Sequence, residues 1–182
     1  GVALLEVQGN NNIKISNIII DSRAAKPQSL FVAIKGIQTD GHQYIKAAIQ
    51  KGATAIICEN LPENLEEQIV YLKVKDSSNA LSVVAKNFYQ NPSASLQLIG
   101  ITGTNGKSTI ATLLYNLFNE LGYCCGLIST IVYKVDQQTI TATHTTPNIL
   151  KLNQLLHQMV TAGCEYCFME ISSHAMAQGR TK

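Results

Sequence analysis

The sequence is short of charge. Asp, Glu, Lys and Arg make up 14% of its 182 residues, against about 25% in an average soluble domain. The formal net charge is +2, so it lacks the strong basic excess that a general nucleic-acid surface needs. Long hydrophobic runs are missing as well. No apolar stretch approaches the roughly 18 residues of a membrane span, although 46% of the residues are hydrophobic. That combination excludes a disordered chain and leaves enough apolar material for a core without disulfide staples. The first residues, Gly1-Val2-Ala3-Leu4-Leu5-Glu6, have neither the basic flank nor the long apolar stretch of a secretory signal. They also lack a starting Met, and the front of the chain is expected to be trimmed.

The cysteines do not come in an even number. The five are Cys58, Cys124, Cys125, Cys164 and Cys167. An odd count without a secretion signal fits a reducing cytoplasm. Cys58 and Cys167 sit in strand-like apolar runs, where cysteine packs as a small hydrophobe. Cys164-Glu165-Tyr166-Cys167 has C-x-x-C spacing. The vicinal Cys124 and Cys125 are wrongly spaced to be the second ligand pair of a zinc site, so packing is the expected use.

The length fits one large domain or two small ones. Strands are expected at 13–20, 30–34, 54–58 and 69–74. A helix opens at Gly41 with Tyr44, Ile45, Ala48 and Ile49 on one face and stops at Gly52. Asp21-Ser22-Arg23 reads as a polar turn. Asp76 is a good N-cap for a helix carrying Leu81, Val84, Ala85 and Phe88. Asn91-Pro92-Ser93-Ala94-Ser95 is the one linker-like stretch and places a boundary. Beyond it, strand and helix alternate. A strand at 96–101 leads through a Gly-rich loop to a helix at 107–121 whose apolar face is Ile110, Leu113, Leu114, Leu117 and Leu121. A strand at 123–128 and a hairpin turning near Asp136 follow. Next comes a helix capped by Thr146 with Pro147 at its first position, burying Leu152, Leu155, Leu156 and Met159. A strand at 166–171 closes the pattern. Such alternation implies a parallel sheet with crossover helices.

The strongest chemical signal is Gly103-Thr104-Asn105-Gly106-Lys107-Ser108-Thr109. It lies between a strand and a helix, the context a phosphate-binding loop requires. Glycines let backbone N–H groups close on a triphosphate, and the helix N-terminus adds partial positive charge. Lys107 would reach the β- and γ-phosphates and the Ser108 hydroxyl would ligate Mg²⁺. The spacing is the short variant G-x-x-G-K-S, since Ile101 and not Gly stands five positions before Gly106.

Thr102-Gly103-Thr104-Asn105-Gly106-Lys107 resembles the ATP loop of the Mur ligases and the related folylpolyglutamate synthases. Asp21-Ser22-Arg23, Leu30-Phe31-Val32-Ala33 and Gly36-x-x-x-Asp40-Gly41-His42 are together similar to the N-terminal UDP-sugar domain of two Mur ligases, those adding the third residue and the terminal dipeptide. Two further segments resemble the third-residue ligases alone. They are Thr143-His144-Thr145-Thr146-Pro147, and Phe168-Met169-Glu170-Ile171-Ser172-Ser173-His174-Ala175 with Gln178-Gly179-Arg180. The likeness runs over essentially the whole chain. Ser108 stands where Thr is commoner and keeps the hydroxyl. Asn148 stands where Asp is usual and removes a charge.

The resemblance implies an α/β fold: a small N-terminal UDP-sugar-binding domain at 1–91, then the first part of a parallel-sheet P-loop ATPase domain at 92–182. It implies ATP and Mg²⁺ as cofactors, with Gly103 to Thr109 on the nucleotide and Ser108 and Glu170 on metal. Lys107 and Glu170 would be the catalytic groups. Ser22, Ile37, Gln38 and Thr39 would hold the uridine diphosphate. His144, Thr145, Thr146, Ser172, Gln178 and Arg180 would contact the muramoyl peptide. His174 reads as supporting structure.

The implied reaction joins UDP-N-acetylmuramoyl-L-alanyl-D-glutamate to a free amino acid, diaminopimelate or lysine, through an acyl phosphate. It would take place in the cytoplasm, on a monomer, with no nucleic-acid or membrane partner. The family's carbamylated lysine, metal-binding His motif and amino-acid-selecting domain have no counterpart in these residues, so the chain is expected to be a fragment that is inactive alone. A nucleotide-binding module and a UDP-sugar-binding domain without ligase chemistry stay open as alternatives. A folylpolyglutamate-type ligase is opposed by the Asp21-Ser22-Arg23 region.

Overall fold

The computed structural model of the chain describes residues 2–10, 12–36, 39–142 and 145–172. The chain divides into two compact units, Gly1–Val84 and Ala85–Lys182. No helix among the described residues is long and apolar enough to cross a membrane.

The first unit holds β1 (Leu4–Gln8), β2 (Asn17–Ile19), β3 (Ser29–Val32), α1 (Ile45–Gln50), β4 (Ala53–Cys58) and β5 (Val70–Val74), with 3₁₀ turns at Ser22–Ala24 and Gly41–Tyr44. Its sheet runs β1-β5-β4-β3-β2. Strands β2 to β5 are parallel and β1 lies antiparallel on β5. The unbroken apolar runs of β3 and β4 are buried along almost their whole length, as parallel strands covered on both faces must be. Phe31, Ala33, Ile56, Ile69 and Tyr71 pack with Ile45 and Ala48 of α1. Strand β1 is exposed throughout. It was not foreseen because an edge strand with no buried face carries no hydrophobic alternation. The strand expected at 13–20 shrinks to Asn17–Ile19.

Helix α2 (Ser77–Phe88) starts where expected. The Asp76 carboxylate accepts from the Asn79 N–H at 2.8 Å. The Glu59 carboxylate adds a second restraint, accepting from both the N–H and the hydroxyl of Ser77 at 3.0 and 2.9 Å.

The second unit holds β6 (Gln97–Ile101), α3 (Lys107–Glu120), β7 (Cys125–Ile128), β8 (Val132–Val135), β9 (Gln138–Thr141), α4 (Ile149–Thr161) and β10 (Tyr166–Glu170). The sheet order is β6-β10-β7-β8-β9. The first three strands are parallel, and β8 and β9 form an antiparallel hairpin on one flank. The strands joined by the crossover helices are parallel as expected, and the expected hairpin adds two antiparallel strands that make the sheet mixed. The linker-like stretch is an ordered 3₁₀ turn, Pro92–Ser95, with Pro92 buried and packed against α4.

Helix α3 corrects the expected apolar face. Ala111 and Tyr115 are its buried residues, with Leu114 and Phe118 beside them over Ile101, Leu127 and Phe168. Leu113 and Leu121 are 62% and 64% exposed, and Ile110 and Leu117 are exposed too. The helix has two adjacent apolar stripes. The sheet takes the one with a small Ala at the close contact and aromatic rings around it, and the Ile/Leu count had selected the other. Helix α4 buries Leu152, Leu155, Leu156 and Met159 as expected. It covers the opposite face of β7, where a Cβ on Gly126 would collide with the Met159 sulfur. Its cap is Asn148, whose side chain accepts from the Lys151 N–H at 2.9 Å. Thr146 and Pro147 were expected to open this helix. Asn148 displaces them because its side chain can fold back on the first turn, which frees the Thr146 hydroxyl for another partner.

Candidate active site

The loop after β6 has positive φ at Gly103 (+147°) and Gly106 (+78°). A Cβ would meet nothing closer than 3.7 Å at either position, so backbone conformation and not space demands glycine there. Gly106 is the N-cap of α3, offers no side-chain cap, and no acidic residue sits in the first turn. The first N–H groups of α3 thus carry an uncompensated positive end, suited to an anion. Lys107 curls back over the loop. Its ammonium donates to the carbonyls of Gly103 at 2.7 Å and Thr104 at 3.2 Å.

Strand register brings a carboxylate to the same place. Glu170, the last residue of β10, is the lateral partner of Ile101, which immediately precedes the loop. Ligands of open α/β sheets bind beyond the carboxyl ends of strands. Glu170 is 1% exposed. One of its oxygens accepts from the Thr130 N–H at 2.8 Å and the other from the Thr130 hydroxyl at 3.0 Å. The Thr130 and Thr145 hydroxyls lie 3.1 Å apart. The single Thr130 proton goes to Glu170, so the Thr145 hydroxyl donates to Thr130. The Thr146 hydroxyl donates to the Glu170 carbonyl at 3.0 Å and accepts from the Ser172 N–H at 3.2 Å. A cleft of about 440 Å³ lined by Thr102, Gly103, Thr104, Lys107, Thr130, Thr145 and Ser172 opens above this network. Its size suits a polyphosphate group.

The donors fit a hard divalent cation. They are carboxylate and hydroxyl oxygens, and Glu170 is a buried carboxylate with no cationic partner among the described residues. Among the described residues, no cluster of three or more His, Cys, Asp or Glu could form an all-protein cage. Mg²⁺ needs none, since it keeps waters and shares phosphate oxygens.

The structure thus gathers Gly103, Thr104, Lys107, Thr145, Thr146, Glu170 and Ser172 at one end of the second unit's sheet. Asn105 and Gly106 complete the loop, and Ser108 and Thr109 follow on the first turn of α3. Thr130 was missed. The available signal was its place directly behind the β7 run, at the carboxyl end of a central strand. Ile37, Gln38, His144, Gln178 and Arg180, with Ser173, His174 and Ala175, lie outside the described residues.

Ser22 and Thr39 belong to the first unit, each in a segment leaving the carboxyl end of a parallel strand, β2 or β3. The Thr39 segment is tied down by His42. Its Nδ1 meets the Asp40 carboxylate, and its Nε2 accepts from the Glu59 N–H at 2.9 Å. These bonds assign the proton to Nδ1. The Asp40 carboxyl is lowered by the His42 backbone and side-chain hydrogen bonds.

Asp21 caps the Ser22 turn and pairs with the Arg23 guanidinium at 2.7 Å. The side-chain bond from Arg23, then its backbone bond, hold the Asp21 carboxyl at about 2 against an ordinary 3.8. The folded value lies below the unfolded one. The pair's small, solvent-screened contribution to stability is therefore present above pH 3.8 and lost as pH falls toward 2. In Arg23→Ala the Asp21 carboxyl, followed by NMR, is expected to titrate well above 2 but still below 3.8, because the N–H of residue 23 goes on donating to it. Titration still near 2 would remove Arg23 as the cause.

A glycine loop between a parallel strand and a helix, with a lysine at the helix start and a carboxylate on the next strand, defines a P-loop nucleotide-binding unit. Two family descriptions match the chain: "Mur ligase middle domain" over residues 101–182 and "Mur ligase family, catalytic domain" over residues 14–89. The chain is 51% identical over 180 residues to UDP-N-acetylmuramoyl-L-alanyl-D-glutamate–2,6-diaminopimelate ligase of Phocaeicola vulgatus, covering 99% of this chain and 37% of that protein. A solved structure bearing the same ligase name superposes with a TM-score of 0.75 at 26% identity, over 91% of this chain and 34% of that one. A MurF ligase from Thermotoga maritima in complex with ADP gives 0.57 at 25% identity, over 85% of this chain and 31% of that one. The chain belongs to the Mur ligase family, whose members are ATP-dependent ligases. It spans about a third of the length of the curated relatives it matches.

Proposed function

We propose that this chain is the part of an ATP-dependent peptide ligase that holds the UDP-sugar substrate and the ATP phosphates. The reaction is addition of the third amino acid, meso-diaminopimelate, to UDP-N-acetylmuramoyl-L-alanyl-D-glutamate in the cytoplasmic synthesis of peptidoglycan precursor. The observation that carries this reading is the pairing of the Gly103–Lys107 loop with Glu170 across one strand register. High identity to ligases of that name supports it. Residues 1–91 form the UDP-muramoyl-peptide domain, with Ser22 and the 37–39 segment toward the nucleotide. Residues 92–182 form the ATP-binding portion, and the complete ligase acts as a monomer.

The loop N–H groups bind the phosphates and Lys107 leaves its two carbonyl contacts to bond the terminal phosphate oxygens. Thr145 and Ser172, held in place by the buried Thr146 hydroxyl beneath them, orient the muramoyl peptide so that its free carboxylate faces that phosphate against their mutual repulsion. Phosphoryl transfer to that carboxylate releases ADP and gives an acyl phosphate; the incoming amine attacks its carbonyl carbon, forms the amide and expels phosphate. Ser108 and Glu170 would hold a Mg²⁺ ion, which when bound neutralises charge on the phosphate oxygens. The chain alone lacks ligase activity.

Isothermal titration of this chain tests the reading. UDP-N-acetylmuramoyl-L-alanyl-D-glutamate and ATP with Mg²⁺ are each expected to bind at a separate site. ATP binding without the UDP-muramoyl dipeptide would leave a nucleotide-binding module. The reverse would leave a UDP-sugar-binding domain.

A further inference from the structure

At the end of the second unit's sheet away from the phosphate loop, two cysteines meet that no spacing rule pairs. The Cys124 thiol donates to the Cys164 sulfur across 3.2 Å. Forty residues separate them in sequence, and the C-x-x-C partner of Cys164, Cys167, is instead buried within β10.

The backbone delivers both thiols by one device. Helix α3 ends with Gly122 at φ +92°, and the Tyr123 N–H returns to the Phe118 carbonyl at 3.0 Å. Helix α4 ends with Gly163 at φ +81°, and the Cys164 N–H returns to the Met159 carbonyl at 2.9 Å. Each is a left-handed C-terminal stop with a six-to-one bond. Cys124 follows the first stop by one residue and Cys164 lies within the second. The Glu165 N–H donates to the Cys124 carbonyl at 2.9 Å, which fixes the two segments side by side. A diagonal between adjacent parallel strands spans about 6 Å between Cα atoms, within the range a disulfide bridges. Cys164 also lines a cleft of about 380 Å³ with Ser95, Gln97 and Tyr166, and Cys124 is half-exposed.

We propose that Cys124 and Cys164 are an oxidisable dithiol that closes to an intramolecular disulfide on exposure to hydrogen peroxide. The Cys164 thiolate, formed by loss of its proton to solvent, attacks one peroxide oxygen. The O–O bond breaks, hydroxide leaves and takes a proton, and a sulfenic acid remains on Cys164. The Cys124 sulfur then attacks that sulfenic sulfur, the S–O bond breaks, and water leaves with the Cys124 proton. Two thiols are oxidised to one disulfide while one peroxide is reduced to two waters. Cys164 goes first because it accepts the Cys124 S–H and lines the cleft. Burial pushes both thiols up, Cys124 to about 12, so closure is slow at neutral pH and the pair stays reduced without an oxidant.

Treating the chain with hydrogen peroxide, blocking free thiols in denaturant and mapping peptides by mass spectrometry tests the pair. The expected product is a monomer about 2 Da lighter. Two of its five thiols resist blocking, and a dithiothreitol-sensitive link joins the segments around 124 and 164. Cys124→Ser abolishes that link, which separates Cys124 from its neighbour Cys125, and Cys58→Ala retains it. If Cys124→Ser fails to fold, fragmentation of the wild-type cross-linked peptide makes the same distinction. A link through Cys125 or Cys167, a link between two chains, or oxidation without any link would overturn the proposal.

Discussion

Lys107→Ala is expected to lower turnover by about a thousandfold or more in an intact ligase carrying this sequence, roughly 4 kcal/mol of transition-state stabilisation. ATP affinity of the chain should fall by about tenfold. The asymmetry follows from where the ammonium stands. With the loop empty, Lys107 bonds the Gly103 and Thr104 carbonyls. When a triphosphate enters, those weak partners are exchanged for phosphate oxygens, so ground-state binding gains only the difference. In the transition state negative charge shifts along the transferring group, and the same ammonium then acts at full strength. Removing the side chain leaves the loop N–H groups and the α3 terminus to bind phosphate unaided. Arginine at this position should not rescue activity, because its planar fork cannot occupy the space over the loop that the point-like ammonium takes. Unchanged turnover of Lys107→Ala would remove Lys107 from the chemistry.

This half of the site was legible in the sequence because it is local. Gly103, Gly106 and Lys107 lie within one strand–loop–helix segment, and backbone conformation alone explains the glycines. The other half was legible in place but not in partnership. Glu170 could be set at the carboxyl end of an apolar strand. That its carboxylate is gripped by Thr130 depends on β7 and β10 being adjacent, a register no local pattern encodes. The same reason hid the Cys124–Cys164 contact, which two helix ends on different crossovers create. Helix α3 shows a different failure. Its two apolar stripes are nearly equal by composition, and the choice between them rests on Ala111 allowing a close approach to the sheet. Strand β1 left no trace because pairing with β5, and not burial, holds it.

Glu170→Gln is expected to cost as much as the lysine variant while leaving the fold intact. The amide matches the carboxylate in size. The Thr130 hydroxyl can rotate to accept from it while the Thr130 N–H still donates to the remaining oxygen, so no buried polar atom loses its partner. What disappears is one negative charge in a position 99% shielded from solvent. If Glu170 holds the divalent ion, the Mg²⁺ concentration for half-maximal rate in the intact ligase should rise at least about tenfold and turnover fall about a thousandfold. Thermal unfolding should shift by little. Thr130→Val separates position from charge. It keeps the N–H bond and removes the hydroxyl, so Glu170 loses one of two restraints and Thr145 its acceptor. Turnover should drop by about ten- to a hundredfold, the scale of a misplaced rather than an absent group, with a smaller rise in Mg²⁺ requirement. Equal Mg²⁺ requirements in all three proteins would mean that Glu170 serves the fold of the 129–131 turn and not the metal.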